Sequence, residues 1–340
     1  MRPTVHDIAA EAGVSLATVD RVLNGRPGVR RQTVSKVESA VLRLGYVRDV
    51  TAANLARRRV YPLVFIVPGG SNSFMQNLTA EITAAAQRSP VERTSIRIEI
   101  VPPFDPAAIA KALDAIDPKA VSGVALVATD TAEVTEAVDR LIDHGVPVAT
   151  LVSDLPGSRR THFCGIDNIA AGRTAAGLIG RFCSGRPGTV LVVAGSMKLT
   201  DHAERAAGFA AVLETEFPEL AIAGPVETND DADKVRHSVE VALAADPEIV
   251  AIYNLGAGNR GLIEALSKHR HTRFTVVAHE VTQHSRQALA DGVFDAIINQ
   301  DCGHEVRSAI RVLKARADGL DLLNAQERIR IDVFLKDNLP

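Results

Sequence analysis

The chain has 340 residues, 46% apolar and 23% charged, with no Trp, three cysteines and a formal net charge of −3. That length suits two or more domains with large cores. No apolar run reaches the roughly 18 residues of a membrane span, and Asp7 and Glu11 stand where a secretory signal would be apolar.

Cys164, Cys183 and Cys302 are widely spaced with no C-x-x-C pair. This argues against a disulfide framework or a zinc site and fits a reducing cytoplasm. Charge is shared unevenly. Residues 1–60 hold eleven Lys or Arg against five Asp or Glu, a net of +6, and the other 280 residues net −9. A basic module on an acidic bulk suggests that one end meets a polyanion.

Thr4-Val5-His6-Asp7 has the T-x-x-D form of a capping box. Val5, Ile8, Ala9 and Ala12 follow at helical spacing, so a first helix with one buried stripe is expected. Gly13 permits a left-handed turn, and Ser15 can cap a second helix over 16–23. There Val19, Val22 and Leu23 share one side, and Leu16, Ala17, Asp20 and Arg21 face the other. A third helix, about 32–44, is expected to bury Val34, Val37, Val41 and Leu44 and to stop at Gly45.

Three short helices, the first two tightly joined, form an all-α helix-turn-helix module whose second helix enters a DNA major groove. On that reading Arg21 reads guanine, whose two acceptors match a guanidinium. Leu16 and Ala17 meet thymine methyls, and Asp20 accepts from a cytosine amino group. Ser15, Thr18 and Asn24 suit phosphates, and Thr4 joins the DNA-binding candidates. A plain solvated helix face is the alternative for each.

The stretch "TVHDIAAEAGVSLATVDRVLNGRPGVRRQTVSKVESAVLRLGYVRDVTAANLARRR" resembles the headpiece and hinge of the lactose-repressor (LacI/GalR) family. It departs at Asp20, where the family usually has Ser, and at Asp49, where it usually has Asn. The resemblance implies a headpiece over 1–48, a hinge over 49–60 and an effector-binding, dimerising core over 61–340. A nine-residue helix over 51–59 is marginal alone. It should order when docked, with Arg57, Arg58 and Arg59 near phosphates. By resemblance, Leu55 wedges into the minor groove. A linker with Leu55 packed on the large domain is the alternative.

From Pro62 onward apolar runs at 63–67, 96–101, 121–128, 146–152, 190–194, 249–253, 274–278 and 296–298 alternate with amphipathic segments at 73–88, 131–144, 201–216 and 257–269. This is parallel α/β structure. The resemblance implies a two-lobed periplasmic-binding-protein-like core with three crossings, near 158–163, 281–298 and 324–330. Lobe 1 is then about 61–160 and 299–325, and lobe 2 about 161–290 and 326–340.

Ligands of α/β lobes bind beyond the carboxyl ends of strands. Ser73, Phe74, Thr129, Asp130, Asp154, Asp167, Asn254, Glu280 and Gln300 follow strand signals, and Arg205 lies on the helix after 190–194. Such a ring of carboxylates, amides and one guanidinium suits a polyol. The resemblance supports Arg205, Asn254, Glu280 and Gln300 as effector contacts, and Phe74 can cover a sugar face. Loop polar groups satisfied by backbone or water are the alternative.

"GAGNRG" (256–261) is a literal G-x-G-x-x-G between a strand and a helix, with Glu280 19 residues past its last glycine. That is the dinucleotide context, which leaves a nicotinamide-dependent oxidoreductase as the competing reading. The motif comes late in the chain, no hydride-transfer partner stands out, and an oxidoreductase does not explain residues 1–60. A free solute-binding protein would need an export signal and no basic headpiece. Hydrolase motifs are missing, and His202 alone of ten histidines lies near the expected cleft, as an ordinary packed residue. The expectation is a non-enzymatic cytoplasmic regulator, a repressor by resemblance, without metal or cofactor. It should bind double-stranded operator DNA and a sugar-like effector, with no membrane, as a homodimer or tetramer.

Overall fold

The structure is a computed structural model that describes residues 3–23, 26–46, 59–88, 93–269, 271–322 and 324–340. It divides into two compact units, residues 1–59 and 60–340.

In the first unit the helices are Val5–Ala12, Leu16–Leu23 and Arg31–Leu44. Thr4 and Asp7 form the capping box, the Thr4 N–H donating to the Asp7 carboxylate at 2.7 Å. Gly13, at φ +64°, ends the first helix in the left-handed conformation that glycine adopts without strain. Ile8, Val19, Val37 and Ala40 form the core, with Val22, Leu23, Val41 and Leu44 packed around it. The expected stripe of the first helix is corrected at Val5, which is exposed, because the core meets that helix one turn later at Ile8.

The second unit is built on two sheets. The first has strand order β2-β1-β3-β4-β5, all parallel, from β1 (Tyr61–Pro68), β2 (Thr94–Val101), β3 (Gly123–Leu126), β4 (Val148–Leu151) and β5 (His162–Cys164). The second has order β11-β10-β9-β8-β6-β7, from β6 (Gly188–Ala194), β7 (Leu220–Glu227), β8 (Ile249–Asn254), β9 (Thr275–His279), β10 (Ala296–Asn299) and β11 (Asp332–Phe334). Only β11 runs antiparallel to its neighbour. β1 is central and covered on both faces, so it reads as a continuous apolar run. The edge strand β2 alternates, with Ile96 and Ile98 inward and Arg97 and Glu99 exposed.

Each sheet carries helices on both faces, which gives two cores per lobe. The helix Cys302–Ala317 returns to the first lobe, where Val306, Ala309, Ile310 and Leu313 pack under β1. Two crossings therefore differ from expectation. His162–Cys164 is β5 of the first sheet, so the first crossing follows at 165–167. Ala296–Asn299 is β10 of the second sheet, so the chain returns at 300–301. The three residues of β5 leave little pattern to read, and the apolar run at 296–298 is legible as a strand without showing which sheet it joins. The third crossing lies near 328. Glu327 pairs with Ser308 and Arg311 of the first lobe, and Ile329 enters the core of the second. Among the described residues no helix is long and apolar enough to cross a membrane.

Candidate functional site

The second helix of the headpiece presents an exposed face. Leu16, Ala17, Asp20 and Arg21 are exposed while Val19 of the same helix is fully buried. Ser15 opens that helix, its hydroxyl accepting from the Thr18 N–H at 3.2 Å and lying 2.9 Å from the Thr18 hydroxyl. Asp20 pairs with Arg26 at 3.1 Å, so its carboxylate is already engaged beside the face. Thr4 is exposed at the start of the first helix. Asn24, Asp49, Leu55, Arg57 and Arg58 lie outside the described residues.

The second unit holds a cavity of about 430 Å³ between its lobes, a size suited to a small ligand. From the first lobe, Ser73, Phe74 and Ser153 line it. Ser73 and Phe74 are placed by Asn72, which caps the helix Ser73–Gln87 by accepting from the N–H groups of Phe74 and Met75. The second lobe contributes Asp201, His202, Arg205, Asp230, His279 and Glu280, and Gln300 sits at the crossing.

Arg205 is the anchor. Its helix, Thr200–Glu216, lies against the helix Asn168–Phe182 with only backbone between them at two glycines. A Cβ on Gly172 would meet the Arg205 carbonyl at 2.0 Å, and one on Gly208 would meet the Ile169 carbonyl at 2.2 Å. This approach brings Arg205 Nε within 2.8 Å of Asn168 Oδ1, while Nη1 donates to the Leu255 carbonyl at 2.9 Å. Nη2 has no hydrogen-bond partner among the described residues, and it lies 3.6 Å from Glu280 and 4.0 Å from Asp201. Among the described residues, five buried polar atoms on cavity-lining residues have no hydrogen-bond partner: Ser153 Oγ, Asp201 Oδ1, Arg205 Nη2, His279 Nδ1 and Gln300 Oε1. Donors and acceptors held in that state are costly unless a ligand or water meets them.

Burial pushes the Glu280 carboxyl up to about 7, against the pull of Arg205 and of two hydrogen bonds from Gln300. His279 is driven well below the usual imidazole range by burial and then by Arg205, and its Nε2 lies 2.8 Å from the Tyr253 hydroxyl. Behind the cavity, Glu305 is fully buried with neither oxygen hydrogen-bonded among the described residues, and burial and then Glu280 raise its carboxyl far above the carboxylate range. Glu280 at φ +69° and Val152 at φ +63° hold left-handed conformations at the cavity wall, where such strain commonly marks a site.

Ser73, Phe74, Arg205, Glu280 and Gln300 of the expected ring are thus brought together. Five others are not. Asp130 is exposed outside the cavity wall. Asp154 accepts from Thr150 and Leu155 and pairs with Arg160, and only its carbonyl reaches the other lobe, accepting from Thr200 at 3.0 Å. Asp167 caps the helix Asn168–Phe182 through the Ala170 N–H. Asn254 is fully buried behind the wall, donating to the Ala257 carbonyl and to Asn259. Of these, Asp167 is taken by capping the helix that starts after its strand, whereas Asp154 and Asn254 are held by neighbouring loop and side-chain groups. Thr129 lines a neighbouring cavity. Asp201, Asp230 and Ser153 were not legible as site residues. Nor is His202 alone at the cleft, since His279 and His284 line it too; its Nδ1 accepts from the Ser196 N–H at 3.2 Å.

The GAGNRG turn has its own explanation. A Cβ on Gly261 would meet the Ala232 carbonyl at 1.7 Å, and Gly258 takes φ +82°. The Ala257 N–H, which a pyrophosphate would need, donates to the Asp230 carboxylate at 2.8 Å. A carboxylate fixed there repels a diphosphate.

Residues 4–49 match the family model "Bacterial regulatory proteins, lacI family", and residues 63–321 match "Periplasmic binding protein domain". The chain is 42% identical over 82 residues to catabolite control protein A of Priestia megaterium, covering 24% of this chain and 25% of that protein. It is 40% identical over 78 residues to the protein of that name from Staphylococcus epidermidis, covering 23% and 24%. The chain therefore spans about a quarter of the length of the curated relatives it matches. Among solved structures it is similar to GanP, a glucose-galactose binding protein from Geobacillus stearothermophilus. The TM-score is 0.72 at 20% identity, over 83% of this chain and 99% of that one. A solute-binding protein from Burkholderia graminis in complex with D-arabinose gives 0.74 at 22%, over 81% and 96%.

Proposed function

The chain belongs to the lacI family of bacterial regulatory proteins, with a periplasmic-binding-protein domain behind the headpiece, and on that premise we propose that it is a DNA-binding transcription repressor controlled by a sugar or sugar derivative. The observation that carries the reading is the buried Arg205, held by Asn168 and Leu255 with Nη2 left for a ligand. Around it Asp201, Ser153 and Gln300 offer further unpaired polar atoms, a donor and acceptor set that a polyol satisfies. Sugar binding by the structural neighbours supports the same ligand class.

Arg21 is assigned to base recognition, Leu16 and Ala17 to thymine methyls, and Ser15, Thr18, Thr4 and Asn24 to phosphates. Asp20, paired with Arg26, is given a positioning role rather than the cytosine contact. Leu55 and Arg57 are assigned to the hinge's contact with the minor groove and phosphates. Phe74 covers one sugar face, and Ser73, Glu280 and Gln300 bind hydroxyls. The protein acts in the cytoplasm as a homodimer, because a near-palindromic site presents two major grooves one helical turn apart. Effector changes the lobe angle, lobe angle sets the separation of the paired hinges, and that separation decides whether they seat on DNA. No catalytic step is needed.

A thermal-shift screen of the intact chain with sugars and sugar acids tests the ligand class. The expected result is one compound that raises Tm in a concentration-dependent way. A screen in which none does removes the sugar assignment.

A further inference from the structure

We propose that Asp20 and Arg26 form a single base-reading unit, in which the Asp20 carboxylate holds the Arg26 guanidinium against the acceptors of a guanine in the major groove. The inference rests on the DNA reading above and names what Asp20 positions. Asp20 lies four residues after Leu16 and three after Ala17, so the three share one exposed face of the helix Leu16–Leu23. Arg26 Nη1 donates to Asp20 Oδ2 at 3.1 Å, and both side chains are just over half exposed.

Arg26 is held at its backbone as well. Its N–H donates to the Arg21 carbonyl at 2.9 Å, and Pro27 after it disfavours the helical conformation at Arg26. The segment past the helix is thereby tied to the residue already assigned to base recognition. Among the described residues, Nε and Nη2 of Arg26 make no hydrogen bond. The guanidinium is anchored through one nitrogen and keeps its other donors for a ligand.

Charge decides between the roles open to such a pair. A lone carboxylate on a DNA-facing helix is repelled by phosphates, and a lone Arg26 would gain by releasing counterions. Together they carry no net charge, so the pair adds almost nothing to phosphate attraction. It adds little to stability either, because an ion pair this exposed is screened by solvent. Its effect is on direction. A guanidinium fixed by a carboxylate has already lost the freedom that a base contact would cost, and its planar fork matches O6 and N7 of guanine. Arg21, on the helix, reads one base, and Arg26, past the helix end, reads another.

The test uses a duplex selected by the intact chain from randomised DNA, with competition by single-base variants and by random duplex over a range of salt concentrations. Arg26→Ala is expected to lower discrimination at one G·C position by about tenfold or more, and not at the position that Arg21→Ala relaxes. Arg26→Lys keeps the charge and loses the fork, so it should relax the same position. Asp20→Asn removes a negative charge and should tighten binding to random duplex, yet discrimination at the Arg26 position should fall by about threefold or more. Asp20→Asn combined with Arg26→Ala should be no less selective there than Arg26→Ala alone. Equal losses on selected and random duplexes for Arg26→Ala, with the salt slope reduced by about one, would make Arg26 a phosphate contact and overturn the proposal. So would Asp20→Asn tightening every duplex alike, or Arg26→Ala changing neither affinity nor discrimination. If only Arg21→Ala relaxes a position, the DNA reading stands and this inference fails. If the intact chain selects no sequence, both fall.

Discussion

Arg205 Nη2 stands 3.6 Å from Glu280 Oε1 in the buried floor of the cleft, near enough for strong attraction and too far for a hydrogen bond. The gap is held open because Asn168 and the Leu255 carbonyl fix the guanidinium from one side and Gln300 fixes the carboxyl from the other. A ligand hydroxyl that accepts from Nη2 and donates to Oε1 closes it.

Arg205→Ala should therefore weaken effector binding by about 2 kcal/mol or more, roughly thirtyfold, the cost of a lost charged hydrogen bond and an unpaired buried partner. DNA binding should persist without effector response. Titration calorimetry and gel shift on the same preparation check both, and a normal effector response would remove Arg205 from the site.

Glu280 makes the stability of the free chain depend on pH. Its carboxyl is raised from 4.5 to about 7 on folding, chiefly by burial. The folded state then holds the proton more tightly, so the stabilisation is complete below 4.5 and lost as pH rises through 7. Between pH 5 and 8 this loss amounts to about 2 kcal/mol. Glu280→Gln cannot ionise and should remove about that much of the change in the denaturant-midpoint profile over that interval, leaving the contributions of Glu305 and His279. Identical profiles for the two chains would show that Glu280 is not the titrating group.

Gly172→Ala tests how Arg205 is positioned. Its new Cβ would meet the Arg205 carbonyl at 2.0 Å, so the two helices must separate. A loss of about 2 kcal/mol or more in stability is expected, with weakened effector binding in whatever folds. A variant as stable as the original would show that the helices are not held by that contact.

Those glycines also explain what the sequence concealed. The helix Asn168–Phe182 carries Gly172, Gly177 and Gly180, which lower helix propensity, and its tight approach to Thr200–Glu216 is a tertiary demand with no local pattern. β7 was missed because Gly224 and Pro225 interrupt it at a sheet edge. The long central strands were legible as continuous apolar runs, and the headpiece helices because a helical period runs through each of them. At the site, position after a strand identified Glu280 and Gln300 but could not separate them from Asp154 and Asp167. The carboxylates of those two are taken by partners within six residues, Thr150, Leu155 and Arg160 for the one and the Ala170 N–H for the other. Asp230 was invisible, since its role depends on Asn72, 158 residues away.

Arg21 is exposed on the same helix whose Val19 is fully buried. Arg21→Ala should cost about 1–3 kcal/mol on the preferred DNA site and relax discrimination at one base position. Competition assays with single-base variants of that site measure this. Equal losses on preferred and random duplexes would reduce Arg21 to a phosphate contact.

The measurement that bears most directly on the central claim is the coupling between the two units. A duplex selected by the intact chain from randomised DNA is titrated by fluorescence anisotropy, without sugar and with the sugar that raises Tm at saturation. The account predicts that sugar shifts DNA affinity by about tenfold or more, that DNA shifts sugar affinity by the same factor, and that the Arg205→Ala chain shows neither shift. DNA affinity that ignores a bound sugar, or DNA retained equally by a chain lacking residues 1–59, would contradict it.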